Sequence, residues 1–127
     1  MNSNGIFISV FSIQYLWDRL TTTCITNKGE VLLILHHIMS VYLLIGGFIF
    51  NPKYHLLSLI LILLHWLINK NKCFVTDLTN HYCGYDNYYP FQDIITKIKL
   101  REYISPNIHW YFVFVLIIYD IKKIYKL

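Results

Sequence analysis

Apolar residues fall into blocks along this chain, and the block lengths are informative. Val31 to Phe50 is a run of 20 residues without one formal charge, and Tyr54 to Ile68 adds 15 more. A helix needs roughly 20 apolar residues to cross about 30 Å of hydrocarbon, so the first block predicts a transmembrane helix over 31–50. Asn51-Pro52-Lys53 predicts a turn, because the residue before a proline is pushed away from helix. The second block predicts a helix over 54–69. So short a turn forces it antiparallel to the first, giving a transmembrane hairpin.

The flanking segments are less regular. Residues 5–20 hold a short apolar core from Ile6, closed by Trp17, Asp18, Arg19 and Leu20. This reads as an interfacial helix anchored by Trp17, or as an extra span. Thr21 to Glu30 is polar and predicts a linker broken at Gly29. Residues 70–106 form a polar, aromatic loop. Within it Phe91, Ile94, Ile95 and Ile98 recur at helical spacing beside Lys97, Lys99 and Arg101. That pattern predicts an amphipathic helix over 91–103, lying on an anionic membrane surface or packed over the bundle. After Pro106, Ile108 to Tyr119 is apolar and ends at Asp120. A third span over 107–125 requires Lys122, Lys123 and Lys126 to reach the far interface. The expected fold is all-α: one integral membrane domain, a helical bundle of three transmembrane helices, or four if residues 5–20 cross.

Composition agrees. The 127 residues are 56% hydrophobic and 14% charged, where soluble domains carry about 25% charged residues, so a water-soluble globule is a poor fit. The net charge of +4 is spread over the ends of apolar blocks rather than gathered on one face, which argues against nucleic-acid binding. Twenty isoleucines, no alanine, and nine lysines against two arginines suggest an AT-rich genome, that of a large DNA virus, a protist or a reduced bacterium, with a host or virion membrane among the locations this allows. Residues 5–17 have no preceding Lys or Arg and no cleavage site after them, so a signal peptide is not expected. Seven basic residues fall on the side of the long loop (Arg19, Lys28, Lys70, Lys72, Lys97, Lys99, Arg101) and four on the other (Lys53, Lys122, Lys123, Lys126). The positive-inside rule therefore favours a cytoplasmic loop 70–106. On that side Cys24, Cys73 and Cys83 would meet a reducing compartment as free thiols.

Six histidines are the strongest chemical signal. Counting equal steps from the turn puts His36 or His37 level with His65 across the hairpin, and His109 enters the third span from the same side. Histidines at one depth on neighbouring helices can hold a haem iron or a transition metal, with His36, His37, His65 and His109 as candidate ligands. Cys73, His81 and Cys83 lie on that side and could add soft ligands. The plainer expectation is no cofactor, the histidines serving as interhelical hydrogen-bonding groups. No His-Glu-x-x-His and no His-x3-His on a helix is present. Proton handling by His65 and Asp120 is a third use, weakened by placing Asp120 at the interface. Ser40, Gly46, Gly47 and Ser58 mark faces where helices can approach closely. The partners expected are the lipid bilayer and another membrane helix, from a second copy or a different chain.

No nucleophile elbow, phosphate-cradling loop or paired intramembrane carboxylate occurs, so a non-enzymatic structural or interaction role is expected, with the haem or metal site as alternative. At the exit of the second helix the chain reads His65-Trp66, then Asn69-Lys70-Asn71-Lys72-Cys73-Phe74-Val75-Thr76. This resembles a family of small polytopic membrane proteins of unknown function from bacteria, with similar proteins in large DNA viruses. Members carry a histidine and a Gly-Gly in the first helix, then Cys-Pro-Leu-Thr-x-x-Glu after the second. The matching positions are His36 or His37, Gly46, Gly47, Cys73, Thr76 and the loop at Gly84-Tyr85. Phe74 and Thr79 stand where the family has proline and glutamate. The resemblance runs from about Val31 to the C-terminus and implies a fold rather than an activity. Thr76 is expected to cap a short helix, with Cys73 packed at the interface.

Overall fold

The computed structural model describes residues 2–85 and 98–127, and among these every regular element is a helix. They are α1 (Ser3–Arg19), α2 (Asn27–Ile49), α3 (Pro52–Ile68), α4 (Phe74–Cys83), α5 (Leu100–Tyr103) and α6 (Ile108–Tyr125). The amphipathic helix expected over 91–103 lies mostly outside the described residues.

Local chemistry sets the boundaries. Asn2 accepts from the Gly5 amide to start α1, and Thr26 accepts from the Gly29 amide to start α2. The Thr26 cap begins α2 four residues before the uncharged block, so Gly29 sits inside a helix and does not break a linker. At the other end Phe50 is extended, Asn51 caps with its side chain, and Pro52 occupies the first turn of α3. α4 starts at Phe74 with Cys73 in the cap position, so Thr76 is inside the helix and is not its cap. Gly84 ends α4 with φ +72°, a left-handed conformation that glycine adopts without strain.

α2 is long and apolar enough to cross a membrane; α3 is also apolar but has only 17 residues. α3 and α6 pack antiparallel in steady register. The Trp66 and His109 rings meet at one end, 4.7 Å apart; Leu59, Val113 and Leu116 form the core between; His55 and Asp120 meet at the other end. α1 runs antiparallel along α2, with Phe7 against Phe50 at one end and Arg19 bonded to Glu30 at the other. α4 covers the first half of α2 from the opposite direction, with Cys83 beside Gly29 and Thr76 beside His36.

Candidate functional site

One fully buried polar pair lies where α2, α3 and α6 converge. His55, one turn into α3, and Asp120, near the end of α6, are both completely buried, with His55 Nδ1 2.6 Å from Asp120 Oδ2. His55 Nε2 donates to the Leu43 carbonyl at 3.1 Å. Because a carbonyl can only accept, Nε2 carries a proton, and one further proton lies between Nδ1 and the carboxyl group. Whichever atom holds it, the pair is neutral as a unit, the form that low-dielectric surroundings tolerate.

Gly46 and Gly47 make room for this pair. A Cβ at Gly46 would lie 2.7 Å from His55 Cδ2, and one at Gly47 would overlap Asp120 Oδ1 and stand 2.7 Å from His55 Nδ1. Asp120 Oδ1 has no hydrogen-bond partner among the described residues. One turn further along α6, Lys123 Nζ donates to the Gly47 carbonyl at 2.7 Å. A cation there satisfies a terminal carbonyl of α2 and opposes the negative end of its dipole.

A second buried set joins α1 to α2. His37 Nδ1 accepts from the Gln14 amide at 2.9 Å, and His37 Nε2 donates to Asp18 Oδ2 at 2.9 Å. Gln14, Asp18 and His37 are all buried. The Thr22 hydroxyl donates to Asp18 Oδ1 at 3.2 Å, and nearby the Tyr15 hydroxyl donates to Glu30. With Gln14 donating, the imidazole proton sits on Nε2, so Asp18 fixes the tautomer.

The four histidines proposed as cofactor ligands do not meet. His37 turns to α1, as above. His36 Nε2 lies 3.2 Å from the Thr76 hydroxyl, and His65 Nε2 accepts from the Phe74 amide at 2.9 Å. His36 and His65 thus both meet the first turn of α4. His109 packs edge-on against Trp66. The Cys73, His81 and Cys83 set is likewise not assembled. Cys83 is bonded to Cys24, which corrects the expectation of three free thiols; Cys73 is free, and His81 is exposed against Tyr82. Among the described residues no three His, Cys, Asp or Glu side chains converge as a metal site would require.

The helix-packing residues divide. Gly46 and Gly47 are buried against α3 and α6 of the same chain. Ser40 is half-buried. Ser58 returns its hydroxyl to the Tyr54 carbonyl and borders an apolar groove between α2 and α3. Asp120 is wholly buried within the bundle near the end of α6, and the histidine beside it is His55 rather than His65. The depth count across the hairpin brings His55 within a turn of Gly46-Gly47, but it carries no information about Asp120, which lies on α6.

No family model matches the chain, and neither does any curated protein or solved structure.

Proposed function

We propose that this is a small polytopic membrane protein with a non-enzymatic structural or interaction role, built as a bundle in which α1, α2, α3 and α6 cross the bilayer. The observation carrying this reading is the inverted distribution of polarity. Gln14, Asp18, His37, His55 and Asp120 are buried, while Leu35, Leu57, Leu61, Leu64, Phe114, Val115 and Ile118 are exposed. In water, an apolar surface of that extent is a strong drive to associate. In hydrocarbon it is the favoured surface, and the polar groups must pair inside, as they do here.

At 17 residues α3 is about 25 Å long, so it crosses with local thinning of the bilayer rather than with tilt. The histidines hold helices together in this reading. His37 joins α1 to α2, His55 joins α3 to α6 and to α2, and His36 and His65 seat α4. The resemblance noted from the sequence fits the same reading, with Gly46-Gly47 as the notch between helices and Cys73 to Thr76 opening α4.

The test is made on full-length protein. Membranes from expressing cells are extracted with alkaline carbonate. Protein then purified in detergent is examined by oxidised and reduced absorbance spectra and elemental analysis. Retention in the membrane and a colourless, metal-free sample are expected. Release by carbonate would overturn the membrane reading. A Soret band or stoichiometric metal that is lost in His65→Leu would replace the structural role with a cofactor-binding one.

A further inference from the structure

Where α1 hands over to α2, the chain is tied to the end of α4 by a set of fitted contacts. Cys24 and Cys83 are joined by a disulfide. The Ile25 amide donates to the Cys83 carbonyl at 3.3 Å, and the Thr26 hydroxyl donates to the Tyr82 carbonyl at 2.6 Å. Lys28 Nζ donates to the Tyr82 hydroxyl at 3.0 Å and lies 4.2 Å from the centre of the same ring. Gly29 completes the fit: a Cβ there would stand 2.5 Å from Cys24 Sγ and 2.8 Å from Cys83 Sγ. The third cysteine, Cys73, lies at the opposite end of α4 and stays free. The bonded pair is therefore the one that backbone hydrogen bonds, a capping threonine and a glycine notch bring into register.

We infer that this end of the bundle faces an oxidising compartment and that Cys24 and Cys83 are the substrate of a thiol oxidase there. The chain termini and the Asn51-Pro52-Lys53 turn then lie on the reducing side. The inference rests on the membrane reading, since only a chain that crosses has two sides. In the oxidation, one cysteine thiolate attacks the oxidase disulfide and forms a mixed disulfide, expelling one oxidase thiolate. The second cysteine thiolate displaces the other oxidase sulfur. The Cys24–Cys83 bond forms, two protons leave the thiols, and the two electrons reduce the oxidase disulfide to a dithiol.

This orientation reverses the one expected from the basic residues. Their distribution, seven against four, is a modest bias, and four lysines still mark the reducing side. A persistent structural disulfide is the stronger constraint, because thiol-reducing systems keep cytosolic cysteines open.

The test uses full-length protein in right-side-out spheroplasts. Two reporters are made in a Cys73→Ser background: Asn107→Cys, at the disulfide end, and Leu127→Cys, at the opposite end. Carbonate extraction comes first, and release from the membrane would sink the membrane reading and this one with it. If the protein is retained, a membrane-impermeant maleimide is expected to label Asn107→Cys from outside and Leu127→Cys only after permeabilisation. The native pair should add two further adducts only after reduction, with a slower band on a reducing gel. Labelling of Leu127→Cys alone from outside overturns the orientation, whether or not the disulfide is present. Labelling of Cys24 and Cys83 without reductant overturns the assignment of the pair.

Discussion

Gly47 on α2 and Asp120 on α6 occupy one place between them: the glycine has no side chain where the carboxylate of Asp120 lies. A Cβ at position 47 would overlap Asp120 Oδ1. Without that gap the carboxylate could not reach His55, and the steady register between α3 and α6 would lose its polar end. Two adjacent glycines near the end of a helix are thus what admits a buried carboxylate into an apolar bundle.

Gly47→Ala should therefore destabilise the bundle more than Gly46→Ala. Overpacking a filled site costs about 1–3 kcal/mol. Here it also strains the His55 contact, which would put the loss at the upper end of that range. Gly46→Ala meets only the His55 ring edge and Tyr42, so it should cost less. Unfolding in mixed micelles with rising SDS gives the comparison; an equal or reversed order would contradict the packing described.

The His55–Asp120 pair is suited to a double-mutant cycle. Breaking a buried pair from one side leaves an uncompensated polar group and costs about 3–5 kcal/mol. His55→Leu and Asp120→Leu should each show a loss of that order. The double variant should recover most of it, because apolar residues suit the surroundings. Additive losses would mean that the two side chains do not interact.

Removing the Cys24–Cys83 bond opens a loop with a sequence separation of 59. Chain entropy sets the effect at about 4 kcal/mol for a fully unfolded reference. Helices that remain inserted in the micelle keep part of that order, so Cys24→Ser with Cys83→Ser should lose about 2–4 kcal/mol. An unchanged SDS midpoint would mean that the bond does not constrain the fold.

Lys123 supplies its charge to the end of α2 through the Gly47 and Phe48 carbonyls. Lys123→Met keeps the apolar stem and removes the charge, and a loss of about 1 kcal/mol is expected. Lys123→Arg should retain most of the stability. A Met variant as stable as the parent would show that solvent caps the helix equally well.

The sequence by itself determined the elements of one dimension. Block lengths predicted α2 and α3, Asn51-Pro52-Lys53 predicted their hairpin, and depth counting put His36 or His37 level with His65; it is His36 that shares with His65 the first turn of α4. These follow from rise per residue and local backbone preference, which neighbours scarcely alter. What lies around each helix was decided only by tertiary structure. His37 pairs with Asp18, His55 with Asp120 and Cys24 with Cys83, across separations of 19, 65 and 59 residues. A helix with polar groups on several faces does not state which neighbour each face will meet. That choice belongs to the packed bundle, where every buried donor and acceptor needs a partner and a missing methyl at Gly47 or Gly29 decides which one can come close.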